Sequence, residues 1–288
     1  MIRSVLIVVI LALLAGCSAV KLGYNSAEKL LAYRLDDWFD LPDAMREPAR
    51  ERLHRVLAWH RREELPRYAQ LLREAERRLE EPRPLQASEL LSLQERVMAH
   101  LLELGKRAAD EFADVLVQFG PAQRRRLLAR LDELDEEFRE EYVEAPAAEV
   151  RRRRIELMID RYEFWLGRLS RGQRALVEQW VDAHPSDAAW RLQLRQARQR
   201  AFLGILEDAA QRQSPEQLAA RLRAFLADVH TPGEAQARAR QEMWEHARAQ
   251  LTAELFNAAT LAQRERARER LRRLAEDFLD LSRQRGAR

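Results

Sequence analysis

Apolar residues recur along most of the chain at the three- and four-residue spacing of helices. Leu53, Leu57, Leu71, Ala75 and Leu79 share one stripe, and Leu218, Leu222 and Leu226 another. No run alternates as a half-buried strand would. Breaks in the pattern predict a first helix from Asn25, capped with Glu28, to about Phe39. After Leu41-Pro42 a long helix runs from about Asp43 to Glu80, and Glu81-Pro82-Arg83-Pro84 turns the chain. Further helices are expected from about Ser88 to Gln118, from Gly120-Pro121 to near Glu144, and from Pro146 to near Arg168. Shorter ones start at Ser170, around Pro185, at Ser214, around Gly233 and at Thr260. The expected fold is all-α, either a multi-helix antiparallel bundle or an array of stacked helix pairs. A sub-boundary is expected near residues 118–121.

One stretch breaks the periodicity. Val5 to Leu14 is continuously apolar, follows Arg3, and is too short to span a bilayer comfortably. It ends in Leu14-Ala15-Gly16-Cys17, an apolar residue and two small ones before the single cysteine of the chain. This is the lipobox pattern of bacterial lipoproteins, in which the cysteine takes a diacylglycerol and its freed amine is acylated. The expected organisation is a signal peptide at 1–16, a lipidated Cys17 with a short tether to residue 23, and a helical body from 24 to 288. Ser18, rather than Asp, after the cysteine implies sorting to the inner leaflet of the outer membrane. Lipidation consumes the only thiol. A nucleic-acid partner is not expected, since the periplasm normally holds none.

Composition narrows the classes. With 9 glycines, 10 prolines and 1 cysteine in 288 residues, a disulfide scaffold, a collagen-like chain and a Gly-turn-rich sandwich are excluded. Basic and acidic residues nearly balance, at 50 against 47, and only Lys21, Lys29 and Lys106 of the basic set are lysines. Two readings fit that bias: arginine-written solvated faces, or an anion-binding surface such as one for lipid phosphate. Arg124 to Arg126 open a helix whose later turns are acidic, and Arg151 to Arg154 lie near the start of the next. Both charge sets oppose the helix dipole. Antiparallel packing is expected to pair the acidic end of the first with the basic start of the second.

Four helix starts resemble one another: Phe119-Gly120-Pro121-Ala122-Gln123, Leu169-Ser170-Arg171-Gly172-Gln173, Ser214-Pro215-Glu216-Gln217 and Thr260-Leu261-Ala262-Gln263. The pattern resembles the LTxxQ motif of small periplasmic chaperones of envelope stress. Capping chemistry alone also generates it, with Ser or Thr accepting from the third amide and Gln reaching back to the cap.

The most distinctive segment is Trp59-His60-Arg61-Arg62-Glu63-Glu64-Leu65-Pro66-Arg67-Tyr68. His60, Glu64 and Tyr68 fall on the stripe of Leu53, Leu57, Leu71 and Ala75. A buried, mutually hydrogen-bonded His60–Glu64 pair is therefore expected, one helical turn apart. Pro66 lacks an amide for the Arg62 carbonyl, so a kink is expected there. With Tyr24-Asn25, Asp40-Leu41 and Trp165-Leu166-Gly167-Arg168-Leu169-Ser170, the segment resembles a family of Gram-negative lipoproteins of unknown function, across most of the mature chain. The resemblance implies an anchored helical protein and no particular activity. That family places Gln four residues after the Asp-Leu leucine; here Met45 stands there and Pro42 occupies the cap, so that capping box is lost.

Signatures of catalysis are few. The chain contains no H-E-x-x-H, no Gly-rich phosphate loop and no G-x-S-x-G, and its six histidines are scattered, so neither a metal nor a cofactor is expected. The six tryptophans stand singly, as core anchors do. Two function classes remain: a protein-binding, scaffolding or holdase-like module of the envelope, or an envelope enzyme using His60, Glu64 and Tyr68. The missing signatures favour the first. The candidate interaction or structural motif is Trp59, His60, Arg61, Glu64, Leu65, Pro66 and Tyr68, and the candidate lipidation site is Cys17.

Overall fold

A computed structural model describes residues 17–209 and 214–284. The expected signal peptide at 1–16 lies outside the described residues. Among those described, the chain is helical throughout and forms no strand. In order, the helices are α1 (Cys17–Phe39), α2 (Asp43–Trp59), α3 (Leu65–Glu80), α4 (Ala87–Leu116), α5 (Pro121–Phe138), α6 (Ala147–Leu166), α7 (Arg171–Ala183), α8 (Ala188–Ala209), α9 (Pro215–His230), α10 (Ala235–Asn257) and α11 (Leu261–Arg283). Two π-helical turns interrupt the series, at His60–Glu64 and Arg139–Glu144.

The breaks have local causes. Asp40 takes a left-handed conformation, φ 47°, ending α1, and Pro42 then starts α2 from extended backbone. Ser170, Ser214 and Thr260 each accept from the amide of the Gln three residues on, and that Gln accepts in return from the cap amide. At Gly120, which has no side chain, only the return bond to Gln123 forms, at 3.1 Å. The repeated helix starts are thus built by capping. Two of them also meet. The side-chain amides of Gln173 and Gln263 bond each other in both directions at 3.1 Å, locking the start of α7 onto the start of α11.

Gly167 closes α6 with φ 71° and ψ −164°, a region essentially reserved for glycine. Leu166 and Leu169 are buried on either side of it. The Trp165–Ser170 segment is therefore the tight turn from α6 into α7.

The helices close on themselves. α11 packs along α3 and also meets α1 and α6, while α4 packs against α2, α9 and α10. An open array of helix pairs would bring together sequence neighbours only; here the last helix covers elements from the start of the chain. One apolar cluster joins α6, α7, α10 and α11 around Ile159, Leu166, Val177, Leu251 and Leu255. A second joins α1, α2, α4, α5 and α8. Met45 is buried within it beside Leu41 and Leu127, where its side chain fills space.

Three expectations are corrected. The chain is already helical from Cys17, so the first helix starts before Asn25, which lies inside α1 instead of capping it. No Gly or Pro other than Gly23 interrupts that stretch, and nothing local stops the helix. The charged hairpin does not form as a packed pair: α5 packs on α1 and α8, and α6 on α7 and α11. Arg153 reaches back to Glu141, at 3.3 Å, while Arg151 pairs with Asp182 of α7 and Arg154 donates to the His184 carbonyl. The third correction concerns Pro66 and the His60–Glu64 pair.

Candidate functional site

Pro66 is the second residue of α3 and offers no amide to the turn before it. The backbone does not break there. It widens: the Leu65 amide reaches back five residues to the His60 carbonyl, and His60–Glu64 becomes a π turn. The extra residue alters which side chains face which helix.

His60 turns toward α1. Its Nδ1 lies 2.8 Å from the Tyr24 hydroxyl, and the two rings stack with centroids 5.8 Å apart. Arg61 lies over the Tyr24 ring, 4.9 Å from its centroid. Its guanidinium donates to Asn25 Oδ1 at 3.0 Å and to the Leu281 carbonyl of α11 at 3.4 Å. One helix turn earlier in α1, Lys21 pairs with Asp280 at 2.5 Å and with the buried Asp277 at 3.2 Å. Tyr24, Asn25 and Lys21 therefore fasten α1 to the π turn and to α11.

Glu64 has other partners. It is fully buried, accepts from Arg67 at 2.6 Å, and its second oxygen lies 2.9 Å from His100 Nδ1 of α4, off the axis a hydrogen bond needs. The Tyr68 ring sits among His60, His100 and Phe278, with centroids 5.7, 5.7 and 6.2 Å away. Its hydroxyl is buried without a hydrogen-bond partner. Leu65 is buried, and Trp59 and Pro66 are half-buried. His60 and Glu64 thus share the stripe as expected, but the mutual hydrogen bond is absent: Tyr24 takes the imidazole and Arg67 the carboxylate.

Burial sets the protonation states. It brings His60 down to about 4, so the ring is neutral near pH 7. It pushes Tyr24 up to about 12, against the opposing charge of Arg61. Tyr68 also rises to about 12, through burial and then through Glu64 and Tyr24. Asp277 is raised by burial, with Lys21 acting against that rise.

Sequence reasoning missed His100, Lys21, Asp277, Phe278 and Asp280, which come from helices far along the chain and leave no local signal. Tyr24 was marked by the family resemblance alone, and Asn25 by that resemblance and as an expected helix cap. A groove of about 470 Å³ lies elsewhere, between α1 and α2, lined by Glu28, Ala32, Tyr33, Leu41, Arg46 and Ala49 among others; no member of the aromatic cluster lines it. No group of three or more His, Cys, Asp or Glu among the described residues is arranged to hold a metal ion.

Neither a curated protein nor a solved structure matches the chain. Residues 37–231 match the Family of unknown function (DUF6279), and the chain belongs to it. That match takes in Trp59–Tyr68 and the Trp165–Ser170 turn, while Tyr24, Asn25 and the α11 partners fall outside it.

Proposed function

We propose that this DUF6279 member is a lipid-anchored helical module of the outer membrane, facing the periplasm and serving to bind or scaffold an envelope protein. The Trp59–Tyr68 segment is, in this reading, the junction that fastens its anchor-bearing helix to the body. One observation carries it. α1, helical from the expected lipidation site at Cys17, is held to the π turn and α11 by Lys21, Tyr24 and Asn25. Support for the anchor comes from the apolar Val5–Leu14 run and Leu14-Ala15-Gly16-Cys17. No described helix is long and apolar enough to cross a membrane. The LTxxQ likeness to chaperones adds little weight, because the helix starts are fully occupied by capping bonds.

The alternative, an envelope enzyme using His60, Glu64 and Tyr68, draws on the π turn and the unpartnered Tyr68 hydroxyl. Against it, Glu64 is fully buried and already paired with Arg67, which leaves its carboxylate no access to a substrate proton.

The test is fractionation of Cys17→Ala beside the wild type. Wild type should pellet with membranes through a salt wash and be released by detergent, and the variant should stay soluble. A variant that still pellets after the wash overturns the anchor reading.

A further inference from the structure

α1 is an outer helix. It is packed by α2, α5 and α11, and the side turned away from them is bare except where Lys29 and Tyr33 border the α1–α2 groove. The bare side is unusual for a protein so rich in charge. Leu22 and Tyr33 are 71% and 68% exposed, behind only Leu261 among the large apolar side chains of the described residues, and Leu30 is 37% exposed. At about 100° per residue they fall, with Ser26 and Lys29, within one arc of about 100°. No acidic residue is exposed on that arc: Asp37, whose position lies within it, is half-buried and held by Arg126. Lys29 has no ion pair among the described residues. The face spans about 16 Å along the helix and begins about 8 Å from Cys17.

Two of these features point to the same occupant. Exposed leucines beside a tyrosine and an unpaired lysine match the lipid–water interface, where the tyrosine ring takes the headgroup level and the lysine stem extends toward phosphate. The position of the face next to Cys17, where acyl chains would enter the bilayer, presents it to lipid before any other surface. We propose that the Leu22–Leu30–Tyr33 face of α1 lies on the phospholipid surface, so that the protein rests along the membrane and does not hang from its anchor. This rests on the reading of Cys17 as the lipid carrier.

Lipidation occupies the only native thiol, so a new cysteine gives a unique labelling site. The lipidated full-length protein would be made with Leu22→Cys, Leu30→Cys or Tyr33→Cys, and with Leu261→Cys as the water-exposed reference, 88% exposed at the start of α11. Each is spin-labelled and reconstituted on vesicles of phosphatidylethanolamine and phosphatidylglycerol. Collision rates with oxygen and with an aqueous nickel complex are then compared, and residue 17 is checked for lipid by mass spectrometry. The expected result is an oxygen-to-nickel ratio severalfold above the Leu261 reference at all three α1 sites. If all three match the reference while residue 17 carries lipid, the surface proposal fails and the anchor stands. A ratio raised at Leu22 alone, fading toward Tyr33, means that α1 stands on end and also overturns the proposal. Spin–spin broadening at these sites identifies a second copy as the occupant and overturns it as well. If residue 17 carries no lipid, the anchor reading fails and takes this one with it.

Discussion

His60 is held neutral by its surroundings, and that ties stability to pH. Free histidine binds its proton near pH 6.5, while His60 in the fold does so only near 4. Between those values the unfolded chain binds more protons than the folded one. Stability from this residue is therefore present at neutral pH and is lost as the pH falls from 6.5 to 4, by up to about 3 kcal/mol. His60→Gln removes the titration and should flatten the fall over that range, as read by denaturant melts at successive pH values. Equal slopes in the two proteins would show that His60 does not sense pH. The hydrogen-bond geometry makes a second prediction. His60→Ala and Tyr24→Phe each break the same contact, so the double variant should lose less than the sum, with a coupling of about 0.5–3 kcal/mol. Coupling between His60→Ala and Glu64→Ala should be smaller, since the two side chains have different partners. Stronger coupling to Glu64 than to Tyr24 would contradict the assignment. The stripe that carries His60, Glu64 and Tyr68 was legible from sequence because it depends only on spacing. Their partners were not, because Tyr24 lies 36 residues away and the Leu281 carbonyl reached by Arg61 lies 220 away.

At the scale of helices and turns, local chemistry did most of the specifying. Ser170, Ser214 and Thr260 with their glutamines mark helix starts because both halves of each cap lie within four residues. What local chemistry leaves open is how a helix absorbs a proline. A kink at Pro66 and a π turn before it both answer the missing amide; the outcome was a turn one residue wider, with α3 and α11 packed along each other beyond it. The charged hairpin was misread for a related reason: exposed ion pairs contribute under about 1 kcal/mol and cannot outweigh the apolar faces that direct α5 to α1 and α8. Gly167 offers a clean test of an element boundary. Alanine there faces both a backbone region closed to side chains and the Arg266 guanidinium, against which an added Cβ would clash. The arginine can swing aside, but the backbone strain remains. Gly167→Ala should cost about 1–3 kcal/mol in a denaturant melt. A neutral substitution would mean that the α6–α7 turn relaxes to an ordinary conformation.

Across the whole molecule, the two ends of the described chain meet: Lys21 binds Asp277 and Asp280, and Asn25 binds Gln284 at 3.4 Å. The halves of α1 are held differently. Leu35, Trp38 and Phe39 pack into the apolar cluster with Phe112, Leu116 and Phe202, whereas the first turns depend on Lys21, Tyr24 and Asn25. Ion pairs at the surface are weak and a single hydrogen bond contributes about 0.5–1.5 kcal/mol, so the N-terminal half of α1 should open locally before the body unfolds. Lys21→Ala with Tyr24→Ala removes two of the three fastenings and the stacking on His60. Hydrogen exchange should then accelerate over residues 20–30 and change little over residues 34–39 or in α5 to α8. Uniform acceleration across the protein would show instead that the junction is part of one cooperative core. Unchanged exchange at residues 20–30 would show that α2 and α5 hold α1 without it. The distinction bears on the proposed anchor, because a force applied at Cys17 reaches the body first through these turns, and their strength decides whether the body follows the membrane or swings from it.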